Sequence, residues 1–116
     1  MDLICLASSD PDGICYIQTS SLDGEKNLKP RSAIKETHDE IGRSETIRFF
    51  GELFLPAPNS NLYDVKGSIS IGGEKRIKIE VKNFMLRGSN LKNTEWVIGV
   101  CAYTGKDTKI MKNAED

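Results

Sequence analysis

The sequence predicts an all-β fold, arranged as a β-sandwich or a jelly roll, with short helical segments. Apolar residues occur in several short runs, and turn-forming residues separate these runs. One run alternates strictly between apolar and charged residues, which is typical of a strand with one buried face. Many short strands with frequent turns favour a sandwich or jelly roll. The chain has 116 residues, enough for one domain with one modest core.

The first half of the chain begins with two predicted strands. Residues 3–7 and 14–17 are short apolar runs, and the turn-like residues 9–13 lie between them. A polar stretch follows from 19 to 45, and its middle, residues 32–41, is predicted as either a short helix or a loop. Residues 46–55 form a longer predicted strand. Two prolines end this strand because proline cannot donate to a ladder.

A hairpin is the clearest local prediction. Residues 65–71 and 75–81 flank Gly72-Gly73, and two glycines permit the positive φ angles of tight hairpin turns. Ile77, Ile79 and Val81 would form its buried face, with Lys78 and Glu80 facing water.

The last part of the chain predicts two more strands and a helix. Residues 84–86 form a short strand. Residues 95–103 are apolar on both faces, which favours a central strand. Residues 107–113 are predicted to begin a helix, with Thr104 or Asp107 as its cap.

Composition excludes some functional classes. The formal net charge is −1, whereas a dedicated nucleic-acid binder normally carries a basic excess, so no nucleic-acid partner is expected. No apolar run approaches the roughly 18 residues of a membrane-spanning helix.

Isolated chemistry-bearing residues receive structural interpretations. Cys5, Cys15 and Cys101 lack metal-ligand spacing and lie among apolar residues, which predicts buried, reduced thiols and no metal site. His38 lies in a polar stretch and is interpreted as a solvated surface residue. The aromatic side chains within predicted strands are assigned to the core: Phe84, Trp96 and Tyr103.

Asp23-Gly24-Glu25 is the candidate catalytic segment. Asp-Gly favours a tight turn, because glycine accepts unusual backbone angles and the aspartate can bond back to the chain. A carboxylate that projects beside such a turn can accept a proton from water and orient the water for attack. The same tripeptide is more often a plain exposed turn. No Walker loop and no nucleophile elbow occurs in the sequence.

Longer strings narrow the interpretation. Residues 23–31 (DGEKNLKPR) resemble the actuator-loop signature of phospholipid-flipping P-type ATPases, DGETNLK-x-R, and residues 15–22 (CYIQTSSL) resemble the family's CYIETANL. Residues 59–67 (NSNLYDVKG) resemble N-x-x-LY-x-F-x-G. Residues 86–109 are similar to LLRG-x-x-LRNTEWV-x-G-x-x-x-YTG-x-DTK, and all four strings follow the family's order.

The resemblance implies a fold and a role for the loop. Residues 1–116 would be an actuator domain, a distorted jelly roll or double-stranded β-helix, without the larger protein's N-terminal actuator segment, membrane, phosphorylation and nucleotide-binding domains. Glu25 would position the water that hydrolyses an aspartyl phosphate. Gly24 would let the loop approach the phosphoryl group, and Asp23 would shape the turn. Lys26 and Asn27 would support the loop.

The resemblance also implies partners that lie outside residues 1–116. These are the other domains and membrane helices of the same chain, a phospholipid substrate and an accessory membrane subunit, at the cytoplasmic face of a membrane. ATP and Mg²⁺ would serve the full-length translocase, while the isolated domain would bind no cofactor and would be inactive. Rotation of the domain would couple dephosphorylation to lipid movement.

One departure from the family pattern leaves an alternative open. Lys26 stands where the family usually has threonine, and lysine cannot accept a hydrogen bond. The alternative is a flippase-like module with a weakened loop, used for regulation or fused to another catalytic domain such as a nucleotide cyclase. An unrelated β-rich binding module is a third hypothesis.

Overall fold

The computed structural model describes residues 1–43, 51–58, 66–71, 76–109 and 111. The first elements in these ranges are β1 (Asp2–Ser8), β2 (Ile14–Gln18), α1 (Ser20–Asp23), β3 (Lys29–Ser32) and α2 (Lys35–Arg43). The later strands are β4 (Gly51–Phe54), β5 (Ser68–Ile71), β6 (Arg76–Lys78), β7 (Phe84–Met85), β8 (Asn90–Lys92) and β9 (Val97–Tyr103). Two 3₁₀ turns span Val81–Asn83 and Gly105–Asp107. The prediction of an all-β fold with short helical segments is confirmed.

Within the described ranges, the strands form three antiparallel sheets of three strands each. The first sheet has the order β7-β1-β9, the second β3-β2-β8 and the third β4-β5-β6. The chain passes from the first sheet to the second between β1 and β2 and again between β7 and β8. It returns to the first sheet between β8 and β9. The arrangement of these sheets as a distorted jelly roll stays a prediction.

Strand β1 is buried on both faces and separates two apolar clusters. Ile4 and Leu6 face a cluster that α2, β5 and β7 complete, with Ile34, Ile69 and Phe84 among its members. Cys5 points to the opposite side and packs with residues of β2 and β7 and with the residue that follows β3: Cys15, Ile17, Met85 and Ala33. The apolar run at residues 3–7 is therefore the central strand of the first sheet, and its two faces contribute to both clusters.

The prediction that residues 95–103 form a central strand is wrong. In the described part of the chain β9 pairs only with β1 and lies at the edge of its sheet. Trp96 is 44% exposed and precedes the strand. An apolar run shows that a strand can be buried on both faces, but tertiary packing decides which run takes that place.

Two further burial predictions are corrected. Cys5 and Cys15 are buried free thiols as predicted, whereas Cys101, on the exposed edge strand β9, is an exposed free thiol. Phe84 and Tyr103 are buried core residues as predicted, and Trp96 is not.

The predicted hairpin has the expected pairing and a shorter second strand. β5 and β6 pair antiparallel with Ser70 opposite Arg76, and residues 72–75 lie outside the described ranges. β6 ends at Lys78, and Val81 is exposed in a 3₁₀ turn rather than buried in the strand. The Asn83 side chain accepts the Glu80 backbone N–H at 2.9 Å, so this N–H is diverted from a strand ladder.

The remaining element predictions are met in part. Of predicted strand 46–55, the structure shows β4 at Gly51–Phe54, while residues 44–50 lie outside the described ranges. Helical bonding near the end of the chain begins earlier than predicted, at Gly105–Asp107. Thr104 occupies its N-cap position without a side-chain cap bond. The string at residues 59–67 lies mostly outside the described ranges.

The described part of the polar stretch, residues 19–43, has more regular secondary structure than predicted. It contains α1, β3 and the helix α2, which resolves the choice between a helix and a loop at residues 32–41. The Thr37 hydroxyl of α2 is buried and donates to the Leu6 carbonyl at 2.6 Å. His38 is half-buried and not fully solvated: Nε2 lies 3.1 Å from the Pro11 carbonyl oxygen, and Nδ1 accepts the Ser8 N–H at 3.4 Å. These contacts fasten α2 to β1 and to the turn that follows it.

Candidate functional site: the loop between β2 and β3

The Asp23-Gly24-Glu25 segment forms the exposed tip of the connection between β2 and β3. These two strands pair antiparallel, with Ile17 opposite Lys29, so the connection leaves and re-enters the same sheet. Helix α1 continues directly from the end of β2 and carries Asp23 as its last residue. The paired strands thereby hold both ends of the tip.

The backbone at Gly24 is left-handed. Its φ is 76° and its ψ is −2°, and its N–H donates to the Ser20 carbonyl at 2.9 Å to close α1. A Cβ placed on Gly24 would meet no heavy atom within 4 Å. Glycine is thus favoured here by the backbone conformation rather than by a lack of space.

The Asp23 carboxylate accepts hydrogen bonds from three other residues of the loop. Its Oδ1 accepts the backbone N–H of Glu25 at 2.9 Å, and the Thr19 hydroxyl approaches its two carboxylate oxygens at 3.0 and 3.1 Å. The Lys29 ammonium donates to Asp23 Oδ2 at 2.8 Å. The Lys29 hydrogen bond is the chief reason that the pKa of Asp23 falls to about 2, and the Glu25 N–H contributes next.

Lys29 joins the two carboxylates of the tip. Besides its contact with Asp23, its Nζ lies 2.9 Å from Glu25 Oε2. The pKa of Lys29 is raised by its hydrogen bonds to Asp23 and then to Glu25. The side chain of Glu25 is 59% exposed, against 32% for Asp23 and 26% for Lys29. The lysine therefore fixes an otherwise exposed glutamate to the base of the loop.

We expect the Asp23 carboxyl to titrate only in strong acid. A carboxyl pKa that is depressed on folding adds stability above the unfolded value of about 4, and this contribution is lost as pH falls through about 2. An NMR titration of the Asp23 carboxyl carbon should give a midpoint near 2. The acid-induced loss of stability between about pH 4 and pH 2 should be smaller in Asp23→Asn. A midpoint near 4 would show that the network does not persist in solution.

The turn between β7 and β8 supports α1 from the side. The Ser21 hydroxyl donates to the Gly88 carbonyl at 2.9 Å. Gly88 has a φ of 91°, and a Cβ there would lie 2.8 Å from a terminal methyl of Leu22. Glycine at this position therefore permits both the backbone conformation and the close approach of α1.

Gly88→Ala is expected to destabilise the protein more than Gly105→Ala does. Both glycines have positive φ, and alanine there costs about 1–2 kcal/mol. A methyl group at Gly105 meets nothing within 4 Å, whereas one at Gly88 displaces Leu22. Urea unfolding of the two variants measures the difference. Equal losses would show that α1 does not pack on Gly88 in solution.

The structure brings together only part of the predicted loop support. The Lys26 backbone carbonyl accepts a hydrogen bond from the Gln18 side chain at 3.0 Å. Asn27 is exposed, and within the described residues its side chain makes no hydrogen bond. Thr19, Lys29 and Gly88 also support the tip, and sequence reasoning missed all three. The opposite charges of Glu25 and Lys29 on one short loop were the available signal, although the segment between them is not helical.

The strings near the end of the chain stabilise the fold away from the tip. The Ser9 hydroxyl accepts the backbone N–H groups of Glu95 and Trp96 at 3.1 and 3.2 Å. The buried Asp2 carboxylate accepts the N–H groups of Arg87 and Lys109 at 2.9 and 2.7 Å. These contacts tie both ends of β1 to the last third of the chain.

The exposed carboxylate of the tip has the chemical properties of a hydrogen-bond acceptor. A carboxylate offers about four lone-pair positions, so Glu25 keeps acceptor capacity beside its bond to Lys29. The Lys29 ammonium group lies between the carboxylates of Glu25 and Asp23. A divalent metal ion between the same two carboxylates would be repelled by this positive charge. Within the described ranges, no group of three or more histidine, cysteine, aspartate or glutamate side chains is arranged to hold a metal ion.

None of the helices in the described ranges is long and apolar enough to span a membrane.

Comparison with known proteins places the chain in one family. No family model matches it. Over 113 residues it is 42% identical to the mouse protein named phospholipid-transporting ATPase ID and 41% identical to the human one. It is 38% identical over 116 residues to a phospholipid-transporting ATPase of Schizosaccharomyces pombe, and 37% identical over 112 residues to human phospholipid-transporting ATPase VD.

The matches cover nearly all of this chain and little of each relative. They include 97–99% of the chain but only 8–9% of the length of these proteins. The chain therefore belongs to the phospholipid-transporting ATPases of the P4 type, and it matches one short segment of these proteins.

Proposed function

We propose that this chain is the actuator domain of a phospholipid-transporting P-type ATPase. Glu25 accepts a proton from a water molecule and directs that water at an aspartyl phosphate on a separate domain of the same protein. Rotation of the β body as a unit then couples dephosphorylation to lipid translocation.

One observation carries the proposal. Glu25 is more exposed than its partners Asp23 and Lys29 in a hydrogen-bonded tip whose backbone is set by a left-handed glycine. A general base must reach the proton that it abstracts, and an exposed, oriented carboxylate meets this requirement. The tip also lies in a chain homologous to these ATPases along nearly its whole length.

The loop keeps a supporting hydrogen bond at position 26, although lysine stands there where the family usually has threonine. Gln18 binds the backbone carbonyl of Lys26, so this contact does not depend on the side chain at that position. The observation favours a working loop over the hypothesis of a degenerate regulatory module. It leaves lysine free to offer positive charge to a phosphoryl group.

The remaining machinery belongs to the proposed larger protein. Separate domains would bind ATP and Mg²⁺ and carry the phosphorylated aspartate, and membrane helices with an accessory subunit would move the lipid. The chain described here would work at the cytoplasmic face of that membrane. Its own residues contribute the water-directing carboxylate and the rigid support for it.

A segment exchange tests the proposal. The 116 residues replace the matching segment of human phospholipid-transporting ATPase ID, and a flexible linker of equal length replaces it in a control. We expect the exchanged ATPase to form a phosphoenzyme and to dephosphorylate it with lipid-dependent turnover. The linker control should lose dephosphorylation. An exchanged ATPase that is phosphorylated and then dephosphorylates no faster than the linker control would contradict the proposal.

A further inference from the structure

Lys29 contacts both carboxylates of the exposed tip. Its ammonium group bonds the carboxylates of Asp23 and Glu25 at 2.8 and 2.9 Å at the same time. A single surface ion pair contributes little to stability, because holding two long side chains in one geometry costs conformational entropy. A lysine shared between two carboxylates of one exposed loop is better explained by the geometry that it imposes on them.

Strand pairing fixes the position of Lys29. It is the first residue of β3 and lies opposite Ile17, which is fully buried in the cluster that contains Cys5 and Cys15. Asp23 is fixed separately by α1 and by its bond to the Glu25 N–H. Glu25 is thus held from two directions, through its backbone by Asp23 and through its carboxylate by Lys29.

We propose that Lys29 is the positioning residue for Glu25, holding its carboxylate in the orientation needed to direct water at a phosphorylated aspartate. The inference rests on the proposed function of the loop. Lys29 restricts the rotamers of an exposed glutamate and offsets the repulsion between Glu25 and Asp23. It also supplies a positive charge at a tip that must approach an anionic phosphoryl group. A preorganised carboxylate reacts faster than a mobile one, because less freedom is lost at the transition state.

The first arm of the test uses the 116-residue chain itself. NMR titration follows the Asp23 carboxyl in the unmodified chain, in Lys29→Met and in Lys29→Arg. We expect the midpoint to rise from about 2 toward about 4 in Lys29→Met, because the ammonium group is lost, and to stay low in Lys29→Arg. An Asp23 midpoint that does not move in Lys29→Met would overturn the inference, whether or not the loop takes part in dephosphorylation.

The second arm uses the exchanged ATPase and measures phosphoenzyme decay. Lys29→Met should slow decay by roughly 10- to 100-fold, and Lys29→Arg should restore most of the rate. Lys82→Met is the matched control, because it removes an exposed lysine from a different lysine–glutamate pair, with Glu80 at 3.2 Å. Its decay should equal that of the unmodified exchange.

The two arms separate failure of the inference from failure of the function. Slow decay in Glu25→Gln together with unchanged decay in Lys29→Met would overturn the positioning role and leave the function standing. Unchanged decay in Glu25→Gln would overturn both, even if the titration in the first arm behaves as expected.

Discussion

Glu25→Gln in the exchanged ATPase is expected to leave phosphoenzyme formation intact and to slow its decay by roughly 100-fold or more. Glutamine has nearly the same size and keeps an acceptor oxygen, but it cannot take a proton from the attacking water. A positioned general base contributes roughly 10²–10⁴-fold to such a step. Radiolabelled phosphoenzyme, chased with unlabelled ATP, measures both the level and the decay rate.

The control for this experiment is Glu52→Gln. Glu52 is an exposed glutamate on β4, in a different sheet from the strands that carry the tip. The substitution removes the same charge and should leave decay unchanged. Decay in Glu25→Gln at the rate of the unmodified exchange would remove the assignment of Glu25 as the water-directing base.

Ile4→Ala is expected to cost about 2–5 kcal/mol in the free energy of unfolding. Ile4 is fully buried on the central strand β1, within the cluster shared with α2 and the third sheet. Truncation removes apolar contacts and leaves a cavity that the surrounding strands cannot close. Equilibrium urea unfolding of the chain measures the loss.

Val81→Ala is the comparison for Ile4→Ala. Val81 also carries a β-branched apolar side chain, but it is 39% exposed in the 3₁₀ turn after β6. Its truncation should change the free energy of unfolding by at most about 0.5 kcal/mol. Similar losses at the two positions would mean that β1 is not the central strand in solution.

Local sequence predicted the features that depend on near neighbours. The apolar runs at residues 3–7 and 14–17 and the pairing of β5 with β6 are found where the pattern predicted them. The Asp-Gly pair predicted a tight turn, and the structure shows Asp23 bonded to the next-but-one N–H with Gly24 left-handed. Such features follow from the intrinsic preferences of two or three residues.

Pattern alone could not decide which strand is central. The runs at residues 3–7 and 95–103 are both apolar on two faces. The structure places β1 between β7 and β9, and in the described part of the chain it leaves β9 with one partner and Trp96 exposed. Burial depends on contacts between distant parts of the chain, such as those of Ser9 with residues 95 and 96.

The sequence by itself determined the family strings, the all-β class and the turn that exposes Glu25. Only the tertiary structure decided what holds that glutamate. Lys29 reaches Asp23 and Glu25 because β3 pairs with β2, and α1 keeps its place because Gly88, 67 residues after Ser21, accepts its hydroxyl. Turn geometry is set by adjacent peptide units, whereas support for the tip requires the sheets to be assembled first.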